Sequence, residues 1–174
     1  MTARLDAADV AVIELATDLA DVPVATVASA PLAAGERVTV LGFGCTAGVL
    51  VADTREALTL KYAETKLVPA ERAVHDGSPV LATELAQVAG IYSLTAGPGA
   101  ARSKAGLCPG DSGGPLYAKR DGVLVVVGVN SNYTLGPEAK DSVGLPVTNW
   151  HTRLDDASRH GISAWLKTVG VTVK

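Results

Sequence analysis

The sequence predicts an all-β chain, and its composition and its pattern of apolar runs agree on this class. The 174 residues include 18 glycines and 9 prolines, which implies many turns. Short β-branched runs recur between these turns, and Val123–Val129 is the most apolar of them. Hydrophobic residues make up 48% of the chain but aromatic residues only 4%, so valine, alanine and leucine must build the core. This length suits one modest domain or two small barrels that share a core.

Charge and composition exclude several classes of partner. The net charge is −3 and no cluster of lysine and arginine occurs, so nucleic acid is not an expected partner. No run of about 18 apolar residues is present, so we expect no membrane span. Residues 1–9 contain no apolar stretch typical of a signal peptide. We expect neither a metal site nor a cofactor.

Several segments are predicted as β-strands in chain order. A short β-branched run, Val10–Ile13, is typical of a buried strand. The other predicted strands are Arg37–Gly44, Leu58–Tyr62 with Lys66–Pro69 in the same hairpin region, Gly90–Leu94, Pro115–Tyr117, Val123–Val129 and Trp150–Leu154. Between the first two strands, Pro23 and Pro31 argue against a helix.

The last element is predicted to be an amphipathic helix. Ile162, Trp165, Leu166 and Val169 lie at helical spacing and form one apolar stripe. Asp155 or Asp156 is the predicted N-cap, and Gly170 lies where a left-handed C-terminal cap would be.

The segment with the clearest chemistry is Gly110–Pro115, which reads Gly-Asp-Ser-Gly-Gly-Pro. Glycines around a serine allow the hydroxyl to be exposed and backbone N–H groups to lie beside it. That is the geometry of a nucleophile next to an oxyanion hole. The segment resembles the nucleophile loop of the trypsin-like (chymotrypsin-family) serine peptidases, with Ser112 as the nucleophile. The simpler alternative is a glycine-rich turn between strands.

The resemblance continues through most of the chain and implies a chymotrypsin-like double β-barrel. Residues 1–22 would be the remnant of an incomplete first barrel, and residues 23–36 the connection between the barrels. Residues 37–154 would form a complete second barrel, followed by a C-terminal α-helix within residues 155–170. The segment Gly42-Phe43-Gly44 resembles the family's Gly-Trp-Gly sequence at the start of the second barrel.

The same resemblance implies Asp9 as the acid of the catalytic triad, since Asp9-Val10-Ala11-Val12 resembles the family's acid-bearing strand. In the family the general-base histidine precedes this acid, and no histidine precedes Asp9 here. His75 is expected in a solvated loop, His151 packed in a strand and His160 exposed. We therefore expect a sequence that begins inside the first barrel and is inactive alone, with its base on a missing N-terminal segment or a separate chain.

The oxyanion hole and the specificity pocket follow from the resemblance too. Backbone N–H groups of Gly110 and Ser112 would be the oxyanion donors, and Asp111 stands at the place whose salt bridge to a new N-terminus supports that loop. Gly106 would lie at the base of the specificity pocket, which predicts no preference for arginine or lysine. The wall would be formed by Asn130–Tyr133, including Ser131, and the bulk of Tyr133 would narrow the mouth toward small side chains.

The resemblance also suggests that the two cysteines, Cys45 and Cys108, form a disulfide that pins the nucleophile loop. The alternative is two free thiols in a cytoplasmic chain. Since the family is largely exported, the full-length form is expected to be secreted or periplasmic, although this chain shows no signal peptide.

Two other functional hypotheses stay open at this stage. Gly110–Gly114 also satisfies the Gly-x-Ser-x-Gly elbow of α/β-hydrolases, with Asp141 or Asp155 and His160 as partners. That elbow needs a strand before the serine and a helix after it, whereas another strand follows here. The second hypothesis is a non-catalytic pseudopeptidase that binds a protein partner through the cleft. In either peptidase-derived case the bound molecule is a polypeptide.

Overall fold

A six-stranded closed barrel forms the centre of the chain in the computed structural model, which describes residues 7–43, 59–72, 82–97, 105–135 and 146–174. The strands are β1 Arg37–Gly42, β2 Lys61–Val68, β3 Tyr92–Ala96, β4 Pro115–Arg120, β5 Val123–Leu135 and β6 Pro146–Arg153. The all-β class predicted from glycine, proline and β-branched content is therefore confirmed.

The barrel closes in the order β1-β2-β3-β6-β5-β4, and every neighbouring pair is antiparallel. Alternate residues of β1 point inward: Val38 and Val40 are buried, and they meet Leu116 and Ala118 of β4 in one apolar cluster. This alternation follows from the two-residue period of a strand. Closure leaves the barrel without a free edge, so each strand has a hydrogen-bonded neighbour on both sides.

Two short helices among the described residues pack against the barrel. A turn of 3-10 helix, Ala82–Glu84, leads into α1, Leu85–Ile91, and α2 is Ile162–Thr168. Helix α1 buries Val88 and Ile91 beside Tyr92 and Trp150, whose rings meet edge to face with centroids 5.4 Å apart. Edge-to-face contact is a favoured arrangement of aromatic pairs, and α1 packs on this pair of strand residues through Val88 and Ile91.

The sequence located most strands but misplaced several ends. The strand predicted from Arg37 is β1, while Gly44 lies outside the described residues. The hairpin strand begins at Lys61, later than predicted, and Gly90 and Ile91 belong to α1 instead of β3. The final strand is also longer, since β6 begins at Pro146. The N-cap of α1, Glu84, makes no side-chain capping hydrogen bond, so no capping signal in the sequence marks the start of this helix.

The prediction of a buried strand at Val10–Ile13 is wrong. These residues take no strand conformation, and the side chain of Ile13 is 83% exposed. A strand requires a neighbour that pairs with it through backbone hydrogen bonds, and none of the described strands pairs with this segment. Further exposed apolar side chains follow in the sequence as far as Val24, which is 91% exposed.

The C-terminal helix is present but shorter than predicted. It starts at Ile162, and its N-cap is Gly161 rather than Asp155 or Asp156, since Asp155 is paired with Arg153 instead. Its end agrees with the prediction. Gly170 has a φ of 84°, and Val171 N donates to the Leu166 carbonyl over 3.0 Å, which is the pattern of a Schellman cap.

The segment around Val27, which precedes β1, is hydrogen-bonded to the last residues of the sequence. Val27 forms isolated bridges with Val126 of β5 and with Val173, and Lys174 N donates to the Val27 carbonyl over 2.9 Å. Val27 also packs with Leu154 in a third apolar cluster, completed by Ile162 and Leu166 of α2. Half-buried Ala8 and Val10 pack against this cluster, so the two neighbours of Asp9 are anchored on the barrel.

Candidate active site

The loop between Cys108 and Gly114, here called the nucleophile loop, is a succession of tight turns. Gly110 and Gly113 have φ values of 96° and 84°, in the left-handed region that side chains disfavour. Asp111 N donates to the Cys108 carbonyl over 3.0 Å, and Gly114 N donates to the Asp111 carbonyl over 3.1 Å. These turns leave Ser112 exposed at the tip of the loop.

Strand β5 anchors the second half of the nucleophile loop through Asn130. Gly113 N donates to the Asn130 carbonyl over 2.8 Å, and Asn130 N donates to the Gly114 carbonyl over 2.8 Å. The buried side chain of Asn130 adds a longer bond from Nδ2 to the Asp111 carbonyl, at 3.3 Å. Asp111 and Gly113, the two neighbours of Ser112, are thus both hydrogen-bonded to Asn130 of β5.

A β-bulge places Ser131 in contact with both Asp9 and Ser112. In the pairing of β5 with β6, Asn130 is opposite His151 and Asn132 is opposite Trp150, so Ser131 is the extra residue. A bulge re-aims the side chain of its extra residue. Ser131 Oγ donates to Asp9 Oδ2 over 2.7 Å, and Ser112 Oγ lies 3.5 Å from the Ser131 carbonyl oxygen.

Asp9 and Ser112 therefore contact the same residue, although the two are far apart in sequence. Its backbone carbonyl accepts a hydrogen bond from Thr152 Oγ1 at 2.9 Å, which joins this segment to β6. The carboxylate itself is exposed. The two functional groups thus face the same residue, the carboxylate of Asp9 through the Ser131 side chain and the hydroxyl of Ser112 through the Ser131 carbonyl.

The carboxylate of Asp111 is turned into the protein instead of toward solvent. Asp111 is only 7% exposed, and its Oδ2 accepts a hydrogen bond from Cys108 N at 3.0 Å. Its Oδ1 lies against Gly42 of β1, where a Cβ atom would come within 2.3 Å of it. The loop side chain thus fits a space that only glycine leaves open. At the opposite side of the loop, neither Gly110 N nor Ser112 N donates to any residue that the structure describes.

The predicted pocket residues lie on two segments, residues 105–107 and the second half of β5. Gly106 is half-buried between the buried residues Ala105 and Leu107. Tyr133 is partly buried and packs against the apolar cluster to which Ala105 and Leu107 belong. The expectation of small substrate side chains stays a prediction.

Two histidines lie within the described residues, and His75 lies outside them. His160 is exposed just before α2. His151 is fully buried in β6, with Nδ1 2.8 Å from Asn130 Oδ1 and Nε2 3.0 Å from Thr95 Oγ1. Burial lowers the pKa of His151 from 6.5 to about 3. His151 is therefore neutral at physiological pH, and both ring nitrogens are engaged away from Ser112.

Sequence reasoning did not select the buried polar residues that support these segments. Asn149 Nδ2 donates to the Ala105 carbonyl over 2.8 Å, and Asn149 Oδ1 accepts from Leu107 N at 3.0 Å. Asn130 has a similar role beneath the nucleophile loop. The signal for Asn149 in the sequence is the polar content of β6, in which residues 148–152 are all buried. An asparagine in a strand is usually exposed, so the pattern alone did not distinguish these residues.

Comparison with protein-family models finds the Trypsin family over residues 3–151 of this chain. The matched range contains Asp9, the nucleophile loop and five complete barrel strands. This chain belongs to the trypsin family, a family of serine peptidases, and its barrel and C-terminal helix are those of a chymotrypsin-like fold. A comparison with curated proteins finds no match.

The described residues show neither a cluster of metal ligands nor a membrane-spanning helix. They contain no group of three or more histidine, cysteine, aspartate or glutamate side chains able to hold a metal ion. None of their helices is long and apolar enough to cross a membrane.

The α/β-hydrolase hypothesis is not supported, because Ser112 is followed by β4 of an antiparallel barrel, where the elbow requires a helix. Asp141 lies outside the described residues.

Proposed function

We propose that this chain carries the acid and the nucleophile of a serine-type endopeptidase and that it is inactive alone, because no histidine among the described residues contacts this pair. The observation that carries the proposal is the contact series from Asp9 Oδ2 to Ser131 Oγ and from the Ser131 carbonyl to Ser112 Oγ. It brings a carboxylate and an exposed hydroxyl to the same residue, and in a triad a histidine base would bridge the two groups.

In the proposed reaction, Ser112 Oγ attacks a peptide carbonyl carbon while a base accepts the hydroxyl proton. The backbone N–H groups of Gly110 and Ser112 stabilise the resulting oxyanion, and the acyl-enzyme forms when the amine leaves with a proton returned by the base. Asp9 would orient and stabilise that base. The buried His151 and the exposed His160 do not supply it, because neither contacts Ser112 or Asp9.

Labelling with a fluorophosphonate probe tests this proposal. We expect Ser112 in the purified chain to react no faster than the background of the Ser112→Ala variant, as measured by intact-protein mass spectrometry. Ready labelling of Ser112 would contradict the predicted inactivity. A triad missing one member can retain about 10³–10⁴-fold catalysis over water, so long incubations should be included.

Added imidazole provides a second measurement on the same site. If Ser112 and the oxyanion donors are competent, free imidazole should act as the base and raise labelling of the unmodified chain above that of Ser112→Ala. Asp9→Asn is the matched control, since it keeps the shape of the side chain but removes the charge that stabilises an imidazolium. Equal rescue in Asp9→Asn would remove Asp9 from the mechanism.

The second candidate function is a non-catalytic, protein-binding pseudopeptidase. It is favoured by the exposed apolar side chains that follow Asp9, notably Ile13 at 83% and Val24 at 91% exposure. Failure of imidazole to rescue labelling, together with peptide-induced NMR shifts at Ser112 and Ser131, would favour this candidate. Rescue would favour the peptidase.

The proposed disulfide is part of the same site. Cys108 is 5% exposed and begins the nucleophile loop, whereas Cys45 lies outside the described residues. We expect non-reducing peptide mapping to yield a Cys45–Cys108 cross-linked peptide, which fits a secreted or periplasmic origin. Alkylation of both cysteines without prior reduction would contradict the bridge.

A further inference from the structure

An uncharged hydrogen-bond network crosses the interior of the barrel from one side of the site to the other. It joins Asn149, Thr95, His151 and Asn130, which are each at most 1% exposed. Asn149 Nδ2 lies 3.1 Å from Thr95 Oγ1, and His151 contacts Thr95 at one ring nitrogen and Asn130 at the other. These residues lie on β3, β5 and β6, so the network spans three strands.

The chemistry of the end groups fixes the direction of every hydrogen bond. Asn130 Nδ2 must donate to the Asp111 carbonyl, so Asn130 Oδ1 accepts from His151 Nδ1–H. His151 Nε2 then has no proton and accepts from the Thr95 hydroxyl, whose oxygen in turn accepts from Asn149 Nδ2. The network therefore has one consistent arrangement, in which His151 is the neutral Nδ1–H tautomer.

The two ends of this network reach the two segments that form the proposed site. At one end, Asn149 binds both the Ala105 carbonyl and Leu107 N, and so holds Gly106 from either side. At the other end, Asn130 binds the Asp111 carbonyl directly before Ser112. His151 is the central link, because removing it separates Thr95 and Asn149 from Asn130.

We infer that His151 is a positioning residue that couples the pocket-base segment, Ala105–Leu107, to the nucleophile loop. The assignment of these segments to a substrate pocket and a nucleophile rests on the proposed function, whereas the coupling itself is a property of the unliganded chain. His151 acts through Asn130 on the loop and through Thr95 and Asn149 on the pocket base, and it does not contact substrate.

Two substitutions at position 151 each preserve a different half of the network. In His151→Asn the amide nitrogen can take the position of Nδ1 and donate to Asn130, but nothing reaches Thr95. In His151→Gln the amide oxygen can take the position of Nε2 and accept from Thr95, but the donor to Asn130 is lost. Each variant removes the same titratable ring, so the pair differs mainly in which link survives.

Amide hydrogen exchange followed by NMR on the whole chain provides the readout. Leu107 N reports on the pocket base, and Gly114 N, which donates to Asp111, reports on the nucleophile loop. In His151→Asn we expect exchange at Leu107 to accelerate about three- to tenfold, the loss of roughly one hydrogen bond, with Gly114 nearly unchanged. In His151→Gln the reverse is expected. His160→Gln, at an exposed site, should change neither amide.

A merely structural role for His151 predicts a different result. General destabilisation would accelerate Leu107 and Gly114 together in both variants, and that outcome, or no change at either amide, would overturn the inference. Thr95→Val keeps His151 and should reproduce the His151→Asn pattern, so the test stands even if a position-151 variant fails to fold. Because exchange is measured without substrate or labelling, its result is independent of whether the chain is a peptidase.

Discussion

Acidification from pH 6.5 to pH 5 is expected to lower the free energy of unfolding by about 2 kcal/mol through His151 alone. The folded chain holds this imidazole neutral, since burial lowers its pKa from 6.5 to about 3. The unfolded chain binds a proton between these two pH values, and the folded chain does not. Stability from this residue is therefore fully present above pH 6.5 and is lost as the pH falls toward 3, at about 1.4 kcal/mol per pH unit.

Urea denaturation at pH 6.5 and pH 5 measures this effect, with His151→Gln as the control. Carboxylates contribute to the pH dependence of both proteins, so the informative quantity is the difference between their slopes. The unmodified chain should lose about 2 kcal/mol more than the variant over this range. Equal slopes would mean that His151 is protonated in the folded chain or titrates there with an ordinary pKa.

The sequence predicted the burial of His151 but not its hydrogen-bond partners. A strand position in β6 predicted that His151 is packed, and this is what the structure shows. Its partners could not be predicted, because Thr95 and Asn130 come from other strands and meet it only when the barrel closes. Barrel closure depends on register, and register depends on contacts between strands that are distant in sequence.

The nucleophile loop was predictable for the opposite reason. Its turns are local, and glycines at positions 110 and 113 supply the positive φ values that they require. The prediction of Asp9 as the acid rests only on the resemblance, and its contact with Ser131 depends on a bulge in β5 that the sequence does not mark. The strand expected around Asp9 failed because an apolar, β-branched run specifies a strand only where a neighbouring strand is available to pair with it.

Gly42→Ala is expected to destabilise the chain by about 1–3 kcal/mol, although the substitution is small and β1 is a regular strand. A Cβ at position 42 would lie 2.3 Å from Asp111 Oδ1 and 2.6 Å from Asp111 Cγ. Such distances are far below van der Waals contact, so the carboxylate must move. Movement would break its hydrogen bond with Cys108 N, the bond that closes the start of the nucleophile loop.

The double variant with Asp111→Ala separates this collision from other effects of the new methyl group. Asp111→Ala alone should cost about 1–3 kcal/mol, since it leaves the buried Cys108 N–H without that acceptor. If the methyl group and the carboxylate compete for one space, the double variant should be at least about 1 kcal/mol more stable than the sum of the single changes predicts. Strict additivity in urea denaturation would show that Gly42 tolerates a side chain without displacing Asp111. Non-additivity would show that the conformation of the nucleophile loop depends on a glycine in β1, a strand that contributes no side chain to the chemistry.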